Sequence, residues 1–347
     1  MQDILKLQQK VVPEMVDLLE KRYKILRTIY YNQPIGRRVL SNLLDMGERI
    51  IRTEISFLKS RNLIEINTPG MTITEEGGEI INKLKDFIHE VKGLSELENY
   101  IREKLNLKEV IVVPGDMDED KTIISELGKV AAQYISGIIK DNYTIALTGG
   151  STIKEVVDNL PKITNLKNIL VVPARGGMGG NVETQANTLA ANFANKIRGS
   201  YKLLHVPDNL SSSVIKSLLN EKDIKEIKDN IDNSNTLIFG IGRAEEMGKR
   251  RGLTLEQLNK LEKIGAVGEA FGYYFNGVGE IVYLTPTIGI NMENIKKINT
   301  AVAIAGGQSK AEAIVSIEVN NNKNNKNNVL ITDEGAARRI LDIIKTL

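Results

Sequence analysis

The residues best suited to chemistry in this 347-residue chain lie in glycine-rich stretches that follow short apolar runs. Leu147-Thr148-Gly149-Gly150-Ser151-Thr152 comes first, and the helix-like Glu155-Val156-Val157-Asp158 follows it. Glycines let the backbone approach an anion closely. Ser151 and Thr152 add hydroxyls to the N–H groups, and a helix starting here aims its positive end at the same point. Pro173-Ala174-Arg175-Gly176-Gly177-Met178-Gly179-Gly180 supplies a cation, and the polar amides of Asn181 to Asn187 come next. Gly240-Ile241-Gly242-Arg243-Ala244-Glu245 is a third loop. Ala305-Gly306-Gly307-Gln308-Ser309-Lys310 mirrors the first and carries a lysine. Any one of these reads equally well as a tight turn. Two of the strand-Gly-Gly-polar-helix type, together with Arg175, point to a bound anion, and two cradles suggest a ligand with two phosphates.

Neither Gly-Gly-Ser-Thr nor Gly-Gly-Gln-Ser-Lys has the spacing of a P-loop, and the first also lacks the dinucleotide fingerprint. A small phosphorylated metabolite fits better than a nucleotide. Catalysis is poorly supplied. There is no cysteine, so thiol nucleophiles, disulfides and cysteine zinc sites are excluded, and only His89 and His205 could offer imidazoles. No metal and no cofactor is expected. Glu269, within Gly265-Ala266-Val267-Gly268-Glu269-Ala270-Phe271-Gly272, reads either as an acceptor for sugar hydroxyls or as an exposed loop carboxylate. Glu245, Glu246 and His205 are the other titratable candidates. No paired acid and base emerges, and no catalytic residue is assigned.

These loops need strands behind them. From Lys108 onward short apolar runs alternate with helical segments: Glu109–Val113, Thr144–Leu147, Ile169–Val172, Lys202–Leu204, Thr236–Phe239, Ile281–Tyr283, Ala301–Ala305 and Val329–Ile331. That alternation predicts an α/β domain with a mostly parallel, Rossmann-like sheet, and ligands in such sheets bind beyond the carboxyl ends of the strands. Asn320 to Asn328 is an Asn/Lys run with no apolar residue to bury, expected as a surface loop before the last strand.

The first ninety or so residues follow another pattern. Helical periodicity runs from Pro13 to Tyr31, Arg37 to Leu44 and Glu48 to Arg61, with breaks at Asn32-Gln33-Pro34-Ile35-Gly36 and Asp45-Met46-Gly47. Leu63–Ile66 and Met71–Thr74 then flank Asn67-Thr68-Pro69-Gly70, a turn sequence. Three helices and a β-ribbon in this order predict a winged helix-turn-helix. On the third helix Ile51, Ile55 and Leu58 gather on one side. Arg49, Arg52, Thr53, Ser56, Lys59 and Ser60 gather on the other, where they suit phosphates and base edges in a major groove. Arg37 and Arg38 open the second helix, where backbone phosphates are usually met. Lys21 to Arg61 holds ten Lys/Arg against three Asp/Glu, although the whole chain carries only +2. Such a block suits a polyanion, or else a solvated helix face. Glu75 to about Asn106 reads as helix divided near Gly93, with Ile81, Leu84, Ile88 and Val91 as a stripe that either forms a dimer or packs on its own domain.

With 41% hydrophobic and 26% charged residues the composition is that of a globular protein. No stretch approaches the ~18 apolar residues of a membrane span. The first fifteen residues lack a signal-peptide core, so a cytoplasmic location is expected. The division expected is 1–92 for DNA binding with its linker helix and 93–347 for ligand binding.

Pro34 to Ser41, Gly47 to Ile64, Leu147 to Thr152, Val172 to Gly177, Asn181 to Asn187, Gly240 to Met247, Gly268 to Gly272, Ala305 to Ile314 and Val329 to Ala337 together resemble the SorC/DeoR-type sugar-sensing transcriptional regulators. The resemblance covers nearly the whole chain. It implies a repressor of glycolytic genes whose winged helix binds double-stranded operator DNA. It implies a C-terminal domain that resembles sugar-phosphate isomerases and deaminases but serves as a sensor, with fructose-1,6-bisphosphate as inducer. The phosphates are then met by Gly149, Gly150, Ser151, Thr152, Arg175 and Lys310, with Gln185, Arg250 and Glu269 as further polar contacts. Gln185 and Arg250 come from the resemblance alone. It also implies dimers and tetramers on DNA. The competing classes are a sugar-phosphate isomerase or deaminase with an added N-terminal domain, and an architectural DNA binder, which leaves the glycine loops unexplained.

Overall fold

A computed structural model describes residues 11–178, 180–208, 210–321 and 326–346. The signal-peptide reading of residues 1–10, Gly179 of the arginine loop and residues 322–325 of the Asn/Lys run lie outside the described residues. The chain forms two units. One ends at Glu96 and takes in Glu119–Thr122; the other holds Leu97–Asp118 and the chain from Ile123 onward.

In the first unit, helices span Pro13–Asn32, Arg37–Leu44 and Glu48–Ser60, and β1 (Ile64–Asn67) pairs antiparallel with β2 (Gly70–Ile73). Ile51, Ile55 and Leu58 are buried against Tyr23, Leu26 and Ile29 of the first helix, as their spacing requires. The second helix stops where Asp45 turns left-handed, and Gly47 starts the third. Ile35 bridges to Met71, and the Ile73 N–H donates to Gln33 Oε1 at 2.8 Å, which ties the ribbon to the break before the second helix. Glu54 is buried midway along the third helix. Burial raises its carboxyl, but hydrogen bonds from Lys21 and Arg22 outweigh this and hold it below the ordinary 4.5. Arg27 pairs with Asp120 of the Glu119–Thr122 segment at 2.8 Å. The stripe on helix Glu75–Val91 packs on its own unit: Ile81 and Ile88 belong to this core, with Leu84 against it. Gly93, at φ +64, separates it from helix Leu94–Lys104.

The second unit is built on a seven-stranded sheet of β3 (Glu109–Val113), β4 (Thr144–Leu147), β5 (Leu170–Pro173), β6 (Ser200–Tyr201), β7 (Thr236–Gly240), β12 (Thr300–Ile304) and β13 (Asn328–Asp333). Its order is β3-β13-β12-β7-β4-β5-β6 and every pairing is parallel. The central strands β12 and β13 are buried along their whole length, as strands covered on both faces are. Strand order reverses between β4 and β7, so the crevice of such a sheet opens there.

One expected strand belongs to a second sheet and another is not strand. Ile281–Tyr283 does not join the parallel sheet. It lies in β11 (Ile281–Leu284), the edge of an antiparallel sheet ordered β11-β10-β9-β8 with β10 (Tyr273–Asn276), β9 (Ala266–Ala270) and β8 (Gly242–Arg243). Its half-exposed pattern suits an edge strand. Lys202–Leu204 is not strand; the pairing with β5 is made by Ser200 and Tyr201. At the ends of the Asn/Lys run, Asn321 ends helix Ala311–Asn321 and Asn328 starts β13.

Candidate functional site

The loop after β4 presents an open set of donors. Gly150, at φ +122, precedes helix Ser151–Asn159 and no side chain caps that helix. The N–H groups of Ser151, Thr152 and Ile153 have no acceptor among the described residues. These are the orphan donors of a helix start, and the helix dipole adds partial positive charge to them. Gly149 is required by close approach: a Cβ there would lie 2.6 Å from the Thr184 carbonyl oxygen. The Gly150 N–H donates to that same oxygen at 2.9 Å, which fixes the loop against the turn before helix Ala186–Ile197. A cavity of about 400 Å³ opens here, lined by Gly149, Gly150, Ser151, Arg175, Gln185 and Arg250 among others. Thr152 is buried beneath it, and Arg250 is exposed. Gln185 donates through Nε2 to the Met178 carbonyl.

Arg175 reaches this cavity from a buried ion cluster. Its Nη2 donates to both carboxylate oxygens of Asp208, at 2.5 and 2.6 Å, and its Nη1 lies 3.5 Å from Glu269 Oε1. Arg251 also pairs with Asp208 through Nη1, and its Nη2 is 2.5 Å from Glu269 Oε1. Two cations and two anions balance, so the cluster is neutral as a whole. Burial, then the neighbouring Arg251, pushes the Arg175 guanidinium below its ordinary value. Glu269 is not an exposed loop carboxylate: it sits on β9, is buried, and accepts the Gly272 N–H at 2.5 Å. Burial and the Glu269 charge raise the Tyr274 hydroxyl beside it to about 12.

The loop after β12 differs. Gly307, Gln308 and Ser309 point their N–H groups at carboxylates of the chain itself: Asp333 at 2.8 Å, Asp116 at 3.4 Å and Asp118 at 2.8 Å. Lys310 follows, half-buried. Burial lowers its ammonium below the ordinary 10.5 although Glu246, Asp118 and Asp333 oppose the shift. Burial likewise raises the Asp333 carboxyl, despite N–H bonds from Ala336, Gly307 and Met117.

In the first unit Arg37, Arg38, Arg49, Arg52, Thr53, Ser56 and Lys59 are all exposed. Gly36, Arg37, Arg38, Glu48 and Arg52 line a depression of about 370 Å³. Arg38 Nε lies 3.4 Å from Glu48 Oε1 at this depression, and Arg49, Thr53 and Ser56 stand on the same helix as Arg52. The Thr53 and Ser56 hydroxyls bond back to the Arg49 and Arg52 carbonyls.

Comparison with known proteins agrees with this two-part layout. Residues 18–88 match a family model described as the CggR N-terminal DNA binding domain, and residues 89–342 match one described as a sugar-binding domain. The chain is 41% identical over 341 residues to the central glycolytic genes regulator of Bacillus subtilis, covering 98% of this chain and 99% of that protein. The chain belongs to the family of central glycolytic genes regulators.

A transcriptional regulator described as of the SorC family, from Enterococcus faecalis, aligns at 38% identity with a TM-score of 0.65, covering 71% of this chain and 99% of that one. The full-length sorbitol operon regulator SorC of Klebsiella pneumoniae, at 19% identity, shares the fold over 94% of this chain and 99% of its own, with a TM-score of 0.64. The chain is thus a transcriptional regulator with a DNA-binding and a sugar-binding part. No helix among the described residues is long and apolar enough to cross a membrane.

Of the effector residues named from sequence, Gly149, Gly150, Ser151, Arg175, Gln185 and Arg250 line one cavity, with Thr152 on the same helix start. Glu269 belongs to the ion cluster behind Arg175, and Lys310 to the loop after β12. Asp208, Arg251, Asp116 and Asp118 escaped the sequence reading. Arg251 directly follows Arg250, and only the fold shows that one is buried and the other exposed. Asp208 lies in a loop without periodicity. Asp116 and Asp118 stand after β3, far in sequence from the glycines they serve.

Proposed function

We propose that this member of the family is a cytoplasmic repressor of central glycolytic genes whose grip on operator DNA is controlled by fructose-1,6-bisphosphate. The observation that carries the reading is the uncapped start of helix Ser151–Asn159, with its orphan N–H groups at the carboxyl end of β4, beside the strand-order reversal. One phosphate rests on Gly149, Gly150, Ser151 and Thr152. Arg175, Gln185, Arg250 and Glu269 supply the charge and hydrogen bonds around the sugar, and Lys310 meets the second phosphate. Residues 93–347 are the sensing part and 1–92 the reading part, in which Arg37 and Arg38 meet phosphates and Arg49, Arg52, Thr53, Ser56 and Lys59 enter the groove. The protein acts as a homodimer or homotetramer. Ligand binding shifts DNA affinity only as far as the sugar binds the two assembly states with different strength.

The test is to titrate fructose-1,6-bisphosphate into the full-length protein bound to its own upstream DNA and to assay the sugar afterwards. The reading expects DNA affinity or cooperativity to change with the sugar recovered intact. Unchanged binding up to millimolar sugar contradicts it.

A further inference from the structure

Gly306-Gly307-Gln308-Ser309-Lys310 has the form of a phosphate cradle, yet its donors are already engaged. The carboxylates that engage them are matched to the glycines beside them. A Cβ on Gly307 would lie 2.6 Å from Asp118 Oδ1, one on Gly335 would lie 2.2 Å from Asp116 Cγ, and one on Gly306 would lie 2.5 Å from Met117 Sδ and 3.0 Å from Asp333 Oδ2. Three glycines therefore make room for three aspartates. The aspartates are not equivalent. Asp333 is fully buried and holds Met117, Gly307 and Ala336 by their N–H groups, so it is part of the frame. Asp116 is half-buried and also accepts the Asp118 N–H at 2.8 Å. Asp118 is exposed, sits on the loop that leaves β3, and takes the Ser309 N–H at 2.8 Å. It can swing into solvent without leaving a buried charge behind.

A carboxylate and a phosphate compete for the same N–H donors, and a second anion beside Asp118 meets like-charge repulsion. We propose that Asp118 is a tethered carboxylate that occupies the second cradle and must be displaced by the second phosphate of a sugar bisphosphate, which makes it the residue that sets the preference between sugar mono- and bisphosphates. A sugar with one phosphate uses the loop after β4 and leaves Asp118 on Ser309. A bisphosphate reaches Lys310 only by ejecting Asp118 from its donor. Neighbouring strands are about 4.8 Å apart. With β7 between β4 and β12, the two loops start roughly 10 Å apart, a separation for the two ends of one ligand rather than for one phosphate. This inference rests on the sugar-phosphate reading of the preceding section.

The experiment is calorimetry on the full-length protein with fructose-1,6-bisphosphate and fructose-6-phosphate, for the unmodified chain, Asp118→Asn and Asp118→Ala. Asn keeps an acceptor for the Ser309 N–H and removes only the charge. The expected result is bisphosphate binding at least about tenfold tighter in both variants, with the monophosphate within about twofold of the unmodified chain. Bisphosphate affinity that is unchanged or weaker in both variants overturns the inference, and so does an equal shift for the two sugars. If the unmodified chain binds neither sugar, the reading of the site itself fails. If it binds and the variants do not discriminate, only the role of Asp118 falls.

Discussion

The two glycine loops look alike in sequence and differ in structure. Both follow a strand of the parallel sheet, both carry Gly-Gly, and both precede a helical turn. After β4 the first-turn N–H groups have no acceptor among the described residues, whereas after β12 they meet Asp333, Asp116 and Asp118. The difference comes from β3 and β13, whose loops flank the second cradle and bring the aspartates to it. A cradle motif therefore says where an anion can sit, and the neighbouring strands decide whether the chain itself supplies that anion.

The largest expected effect tests Arg175, which touches the first cradle from the buried ion cluster. Arg175→Ala leaves Asp208 and Glu269 with one cation between them. Removing one partner of a buried ion pair costs about 3–5 kcal/mol. Urea unfolding should show a loss of that size alongside loss of the sugar response. A full loss of response with unchanged stability would show that the cluster contributes nothing to the fold.

Next in size is a pair of glycine substitutions. Gly150 and Gly307 both have positive φ, +122 and +97, so alanine strains either backbone by about 1–3 kcal/mol. Only at Gly307 does the new Cβ also displace a neighbour, the Asp118 carboxylate, which then loses its bond to the Ser309 N–H; at Gly150 nothing lies within 4 Å. Thermal melts should place Gly307→Ala below Gly150→Ala. The reverse order would break the comparison between the loops.

The remaining tests are smaller. Arg52→Ala should weaken operator binding by about 1–3 kcal/mol and leave sugar affinity unchanged, as measured by fluorescence anisotropy and calorimetry. An unchanged DNA affinity would put the reading face elsewhere. Lys310 gives a pH signature. Its ammonium is charged below its pKa, and burial moves that pKa down from 10.5. Bisphosphate affinity should therefore be full at neutral pH and fall as pH rises toward a value under 10.5, while monophosphate affinity, resting on the first loop, changes less. Equal pH profiles for the two sugars would remove Lys310 from the second phosphate.

Much of this was legible in the residues. The third helix announced its two faces because Ile51, Ile55 and Leu58 repeat at helical spacing, and the parallel strands were apolar runs between glycines. Of the small antiparallel sheet only β11 was legible: β9 reads Ala-Val-Gly-Glu-Ala, with no alternation to mark a strand, and its hold comes from pairing with β10. The charge networks were hidden for a related reason. Asp208 and Glu269 are brought to Arg175, and Asp118 to Ser309, by topology alone, and local spacing carries no trace of such long-range pairings.

The measurement closest to the central claim uses Ser151→Pro. Ser151 is the first residue of its helix, where proline removes an N–H that makes no helical bond and fits the backbone. The substitution deletes one donor and the hydroxyl from the first cradle while leaving the helix intact. Fructose-1,6-bisphosphate should be titrated into the operator complex of the unmodified and Ser151→Pro proteins. The account predicts equal DNA affinity without sugar and a midpoint at least about tenfold higher in sugar for the variant, from the loss of the Ser151 N–H and hydroxyl donors. Identical midpoints would contradict it.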